Sequence, residues 1–274
     1  MQRPLPLHID SIQRQLTTRR LGRRIELHQR LDSTNGEAVA LAQAGAAHGT
    51  LVLADEQTAG RGRMARSWFS PPGLNVYASV IIRLPIDAPR MPAWLSWLPL
   101  MAALGAADAI EAVAPAGVAV KWPNDLLIGD RKAGGILCES ATTRGTGPFQ
   151  VIGIGINVNG GAKDFPEDLR GTATSIEDEV GRLVDRNQLV SQLLFGIESC
   201  LDEFLTNGSA TIAPAYRRRC ASIGKTVKAV LADGNECVGA VEGIAEDGSL
   251  TLIDQTSPTA IVRQLRAADI IHLR

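Results

Sequence analysis

The chain has 274 residues, 45% of them hydrophobic and 21% charged, and a formal net charge of -1. That composition excludes a disordered or fibrous chain, and the near-neutral balance argues against a nucleic-acid partner held by bulk charge. With domains typically about 100 to 200 residues long, the length allows one large domain, or a large one with a small one. Cys138, Cys200, Cys220 and Cys237 lie far apart without a CxxC pair, and His8, His28, His48 and His272 show no metal-ligand spacing. The cysteines read as reduced packing residues of a cytoplasmic protein.

In chain order, a basic leader (Arg14, Arg19, Arg20, Arg23, Arg24) comes first and carries no apolar run of the kind a secretory signal needs. DSTNGEAVALAQAGAAHG predicts a helix, with Thr34 and Glu37 at capping-box spacing and Gly49 as its stop signal. TLVLADEQ follows as a strand, then the loop GRGRMAR (60–66), then NVYASVIIRL as a second strand. A helix is expected around residues 93 to 114. The uncharged stretch from Met91 to Ala107 has 17 residues, short of the about 20 that a membrane span needs. It reads as a core helix, with no membrane partner.

GVAVKW predicts a third strand, DLLIGDRKAGGILCES a hairpin turning at Gly129 and Asp130, and FQVIGIGINVN another strand. Two helical stretches follow, one starting near Asp185 and running through LVSQLLFGIESCLDEFL, while Arg217, Arg218 and Arg219 read as a solvated helix face. Beyond residue 222 short alternating strands with Asp-Gly turns at 233–234 and 247–248 suggest a small antiparallel barrel. Strands and helices mix without strict alternation. The expected fold class is α+β, divided as residues 1–221 and 222–274.

GRGRMA matches the dinucleotide fingerprint on paper, but SWFSPPG follows it and no acid appears before Asp87, so the helix and the ribose ligand are both missing. IGKT (223–226) resembles the end of a P-loop, yet Arg219 stands where the first glycine is required. Glycines between arginines do let backbone N–H groups approach an anion while each guanidinium offers a planar fork. Trp68 and Phe69 offer a face on which a nucleobase stacks; the alternative is a charged surface turn beside a core tryptophan. KWPNDLLIGDRKAGG gathers Lys121, Asn124, Asp125 and Lys132 around a strand end and a tight hairpin, although Asn124 and Asp125 also suit an Asx turn after Pro123. Asn157 ends the strand GIGIN.

STN (33–35), EQTAGRGR (56–63), RSWFSPPG (66–73), KWPNDL (121–126), RKAGGIL (131–137) and GIGINVN (153–159) together resemble the ordered motif series of the biotin protein ligases. The resemblance implies a mixed sheet flanked by helices (a class II synthetase-like catalytic domain) followed by a small C-terminal SH3-like β-barrel. It implies ATP-dependent formation of biotinyl-5'-AMP, with Mg²⁺, and transfer of biotin to one lysine of a biotin carboxyl carrier domain of acetyl-CoA carboxylase or a related carboxylase. It places Ser33, Thr34, Asn35, Gln57, Gly60, Arg61, Lys132, Gly135 and Ile136 around biotin. Arg61, Arg63, Trp68, Lys121, Asn124, Lys132 and Asn157 fall to ATP and the adenylate, and Lys132, Arg63 and Asp125 to the chemistry; metal ligands stay unassigned. Lys132 is expected to bridge the biotin carboxylate and the α-phosphate, and Asp125 to take the proton of the incoming lysine.

Ala65 stands where the family usually has a third loop glycine, which implies a stiffer loop. Only 32 residues precede Ser33, fewer than a minimal winged-helix domain of about 50, so the expectation is ligase activity without operator binding. Competing readings are a lipoate or octanoate ligase or transferase of the same fold, a non-catalytic biotin sensor, and a nucleic-acid-binding protein. The oligomeric state stays open, a homodimer among the alternatives.

Overall fold

A computed structural model describes residues 4–87, 89–143, 147–231, 233–255 and 261–273. Its elements run α1 (Ile9–Gln15), β1 (Ile25–Leu31), α2 (Thr34–Gln43), β2 (Leu51–Gln57), β3 (Val76–Ile82), α3 (Met91–Val113), β4 (Val118–Lys121), β5 (Asp125–Ile128), β6 (Arg131–Thr143) and β7 (Gly147–Ile156). Then come α4 (Ile176–Val180), α5 (Arg186–Asn207), α6 (Ser209–Arg219), β8 (Thr226–Leu231), β9 (Glu236–Ile244), β10 (Leu250–Asp254), β11 (Ile261–Leu265) and β12 (Ala268–His272). The fold is α+β, as expected. β1 to β7 form one mixed sheet in the order β1-β2-β3-β7-β6-β5-β4, with β1 and β2 parallel and every other neighbouring pair antiparallel.

Both faces of this sheet are covered, which is why β3 is buried at every position. On one face, Ala38 and Ala42 of α2 pack on Val52, Ile81, Phe149 and Val151. On the other lies α3, apolar up to Asp108 and Glu111 near its end, whose buried residues include Trp94, Trp97, Leu98, Met101 and Ile110. It is long and apolar enough to cross a membrane, but 72% of its most apolar stretch is buried inside the molecule. α5 crosses α3 where Gly105 meets Gly196 backbone to backbone: a Cβ on Gly105 would stand 2.6 Å from the Gly196 carbonyl carbon.

Two local expectations change, and the basic leader, to which the sequence assigned no element, is structured: α1 packs on α5, and β1 is the edge strand beside β2. Its turn is held by Glu198, whose carboxylate accepts the backbone N–H groups of Arg19 (2.5 Å), Arg20 (2.8 Å) and Leu21 (2.8 Å). Burial pushes the Glu198 carboxyl up, but those three bonds and Arg20 outweigh it and hold the group below the usual carboxylate range. α2 is capped by Ser33, not Thr34, and stops at Ala44 with Gly45 in the left-handed region (φ 95°), four residues before Gly49. Arg217 and Arg219 are not merely solvated: Arg217 donates to the Ile244 carbonyl (2.6 Å), and Arg219 to the Val118 carbonyl (3.2 Å) and Asp108 (2.6 Å).

β8 to β12 form a second, antiparallel sheet in the order β11-β10-β9-β8-β12. The alternating burial of β8, β9 and β10 gives it one apolar face. It docks on the first sheet's helices and loops, where Trp97 Nε1 donates to the Glu246 carbonyl (2.8 Å) and Trp122 Nε1 to the Gly248 carbonyl (3.1 Å). This docking brings β12 beside the loop at 60–66.

Candidate active site

A cavity of about 830 Å³ opens over β6 and β7, bounded by the start of α2, the arginine loop, the β5–β6 hairpin and the last residues of β12. Of the residues singled out from the sequence, Ser33, Thr34, Asn35, Gln57, Arg61, Arg63, Trp68, Lys121, Asn124, Asp125, Lys132, Gly135, Ile136 and Asn157 all line it. Gly60 does not. Its backbone carbonyl accepts from Trp68 N (2.8 Å), and an added Cβ there would strike the Trp68 carbonyl and Ser70 Oγ, so the glycine serves the stem of the loop.

At one end sits a polar chain. Gln57 Oε1 accepts from Thr34 N (2.9 Å) and lies 3.1 Å from Thr34 Oγ1, its Nε2 donates to Ser70 Oγ (3.0 Å), and the Ser79 and Thr34 hydroxyls lie 2.8 Å apart. Asn35 is buried behind it: its amide donates to the Leu137 carbonyl (3.1 Å) and Glu139 Oε2 (2.7 Å) and accepts from Ser79 Oγ (2.6 Å). The absence of a side chain at Gly153 makes the room that Asn35 fills. Asn35 thus braces the wall, and Ser33 caps α2 through Gly36 N (3.5 Å).

The hairpin sets the charged end. β5 and β6 pair Asp125 with Gly135 and Leu126 with Gly134, with a register shift before Leu127. Asp125 lies 2.5 Å from Lys132 Nζ and 3.8 Å from Lys121 Nζ. Lys132 is held at its backbone by the segment at 172–174, accepting from Thr174 N (2.9 Å) and donating to the Thr172 carbonyl (2.8 Å). Asn157 donates to the Thr174 carbonyl (3.0 Å), fixing the same segment. Asn124 does not close an Asx turn: its Nδ2 donates to the Ile136 carbonyl (2.8 Å), and its Oδ1 accepts from Arg63 (3.1 Å). The Trp122–Pro123 peptide before it is cis.

Trp68 lies across the sheet floor at Gly135 and Gly155, which face one another in register; a Cβ on Gly155 would stand 2.6 Å from the indole Nε1. Lys132 Nζ is 5.4 Å from the ring centroid, within cation–π range. The buried indole N–H finds no acceptor among the described residues. The two glycines therefore make a flat shelf for a planar ring.

The loop itself doubles back, with Gly62 N donating to the Arg66 carbonyl (2.7 Å) and Met64 and Ala65 both left-handed at φ 54° and 57°. Arg61 pairs with Glu139 (3.0 Å), Arg63 reaches Asn124 and the Ala268 carbonyl (3.2 Å), and Arg66 pairs with Asp269. Burial pushes the Arg63 guanidinium down against the pull of Asp269 and Asp125, whereas the hydrogen bond to Asp269 pushes Arg66 up. Lys225 just before β8, and Asp269 and His272 of β12, none of them in the six motifs, complete the wall. Only their position beside the loop marks them.

An apolar floor with a hydrogen-bonding end and a cationic end suits an amphipathic acid joined to an anionic nucleotide. Among the described residues no group of three or more His, Cys, Asp or Glu is gathered to hold a metal ion. The Biotin/lipoate A/B protein ligase family matches residues 27–159. The chain is 36% identical over 252 residues to the bifunctional ligase/repressor BirA of Bacillus subtilis, covering 92% of this chain and 76% of that one. It is 36% identical over 256 residues to the biotin--[acetyl-CoA-carboxylase] ligase of Mycobacterium tuberculosis, covering 92% and 90%. In three dimensions it resembles the biotin protein ligase from Aquifex aeolicus solved with biotin and ATP, with a TM-score of 0.77 at 24% identity over 92% of this chain and all of that one, a likeness of fold.

Proposed function

The chain belongs to the biotin protein ligases of the biotin/lipoate A/B protein ligase family, and from that premise we propose how its residues divide the work. It is an ATP-dependent ligase that joins biotin to a biotin carboxyl carrier domain. In the first step the biotin carboxylate attacks the α-phosphate of ATP and pyrophosphate leaves; in the second, a carrier lysine attacks biotinyl-5'-AMP and AMP leaves. The first step brings two anions together, so its barrier is electrostatic and positional. The supporting observation is that Lys132 and the arginine loop converge on one end of a cavity whose other end is the Thr34–Gln57–Ser70 chain.

In this reading Thr34, Gln57 and Ser33 receive the polar ring of biotin, Ile136 and Gly135 flank its chain, and Lys132 neutralises the carboxylate and α-phosphate as they meet. Arg61, Arg63, Lys121 and Asn124 serve the nucleotide, Asn157 does so only by fixing the segment at 172–174 that holds Lys132, and adenine stacks on Trp68. Mg²⁺ bound with ATP would help neutralise the phosphate charge, beside Lys132 and the arginines of the loop. The second sheet is read as an SH3-like barrel starting at 222, supported by its five short antiparallel strands. The four free thiols suit the cytoplasm.

ATP–pyrophosphate exchange with biotin or lipoate as the sole acid tests the assignment, followed by mass spectrometry of a carrier domain for one added biotin. Exchange that responds to lipoate alone rejects it. Lys132→Ala is expected to slow exchange by about 10²-fold or more, the loss typical of one preorganised charge donor. Asp125, 2.5 Å from Lys132, is assigned the carrier lysine's proton. Asp125→Asn should therefore slow transfer from preformed biotinyl-5'-AMP more than it slows adenylation, and equal losses remove the role.

A further inference from the structure

At the polar end of the cavity the side-chain protons are committed in one direction only. The Trp68 carbonyl can only accept, so the Ser70 hydroxyl, 3.1 Å away, spends its single proton there. Towards Gln57, 3.0 Å away, Ser70 can then only accept, and the amide atom facing it must be Nε2. The Thr34 backbone N–H can only donate, so the amide atom facing it at 2.9 Å must be Oε1. Both constraints give the Gln57 amide the same orientation. Backbone packs against the arrangement, since a Cβ on Gly60 would stand 2.6 Å from the Trp68 carbonyl oxygen, 2.7 Å from Ser70 Oγ and 3.1 Å from Gln57 Nε2. The Thr34 hydroxyl is spent too. The Asn35 amide nitrogen donates to the Leu137 carbonyl and Glu139, which leaves its oxygen to accept the Ser79 proton at 2.6 Å. Ser79 then has only a lone pair for Thr34, 2.8 Å away, and Gln57 Oε1 lies 3.1 Å from the same hydroxyl, so the Thr34 proton stays inside the chain whichever of the two takes it. What faces the cavity is a Thr34 lone pair beside the second hydrogen of Gln57 Nε2.

We propose that Ser70 is a specificity-determining positioning residue: by accepting from Gln57 it fixes the amide with an N–H towards the cavity, and so selects acids whose ring carries a carbonyl acceptor. Ser70 is buried and does not line the cavity, so it acts through Gln57. One acceptor beside one donor matches the edge of a cyclic urea, where N–H adjoins C=O; a disulfide ring such as that of lipoate offers neither group. Removing Ser70 leaves the Thr34 N–H as the amide's one restraint on that side. The amide is then free to swing, and the site loses its fixed polarity.

The selection rests on the biotin ligase reading, whereas the orientation of the amide does not, and the experiment separates them. Calorimetric titration of the full chain compares biotin with iminobiotin, a cyclic guanidinium that presents N–H donors where biotin presents its carbonyl oxygen. Wild type should favour biotin. Ser70→Ala should cut the biotin-to-iminobiotin affinity ratio about tenfold, the scale of one hydrogen bond, mostly by weakening biotin, and should raise KM for biotin more than it lowers kcat for adenylation. A loss shared equally by both ligands would assign Ser70 to the fold alone and overturns the proposal. Gln57→Glu, whose carboxylate has no N–H, should abolish the preference, and adding Ser70→Ala to it should change the ratio no further; additive losses refute the action through Gln57. In the ligand-free chain the Gln57 side-chain amide signal, identified by magnetic resonance from its disappearance in Gln57→Ala, should shift and exchange faster with water in Ser70→Ala. Wild type that binds neither ligand would sink the ligase reading while this signal still decides the orientation, an unchanged signal counting against it. Should Ser70→Ala not fold, Ser70→Cys decides, because a thiol accepts only weakly: a reduced ratio supports the proposal and a wild-type ratio refutes it.

Discussion

Ala65 shows how one side chain acquires meaning from its backbone. The sequence marks it as a departure from the usual loop glycine; the structure puts it at φ 57°, where a Cβ crowds the following carbonyl. That strain costs roughly 1–2 kcal/mol, more than the about 0.4–1 kcal/mol of extra chain entropy that a glycine brings to the open loop. Ala65→Gly is therefore expected to favour the closed loop and slow the escape of biotinyl-5'-AMP in a chase. An equal or faster rate would mean that entropy outweighs relief of strain. Asn35 and Asn157 teach the complementary lesson: both line the cavity, but their amides are engaged by Glu139, Leu137 and Thr174, so they hold the walls.

Among the elements, the α3–α5 crossing is the point where glycine outweighs helix propensity. Alanine in an exposed helix normally gains about 1 kcal/mol over glycine. At Gly196 the added methyl would run into the Gly105 carbonyl, and backbone cannot rotate away as a side chain can. Overpacking of this kind costs about 1–3 kcal/mol, so Gly196→Ala is expected to lower the melting temperature instead of raising it, as thermal unfolding by circular dichroism would register. The sequence pattern alone cannot reveal this, because a helix interior glycine looks the same whether it faces solvent or another backbone. By contrast, the β5–β6 hairpin was legible: its glycine pair, its turn at Gly129 and its lysine all follow from local chemistry.

At the level of the whole molecule, the second sheet brings His272 against the first, near Lys121 and Lys225. Burial, then Lys121 and Lys225, against the opposing pull of Asp130, push its imidazole down to about 4. The folded chain thus holds His272 neutral while the unfolded chain binds a proton below about pH 6.5. Stability is expected to fall as pH drops from about 6.5 towards 4, and His272→Gln should flatten that part of the profile in melting temperatures measured across the range. A variant with the same slope as wild type would assign the loss to other groups.

The sequence by itself determined the local chemistry: the α+β mixture, the buried α3, the hairpin and six ordered motifs whose candidate site residues, Gly60 apart, line one cavity. These are short-range properties, set by periodicity, turn residues and side-chain type within a few positions. Only the tertiary structure decided that the leader is built into the fold through Glu198, that Ser33 rather than Thr34 caps α2, and that Arg61 and Arg66 face Glu139 and Asp269. Those pairings join residues 78 and 203 positions apart. No local pattern encodes them, because they exist only once packing has carried β6 and β12 to opposite sides of the same loop.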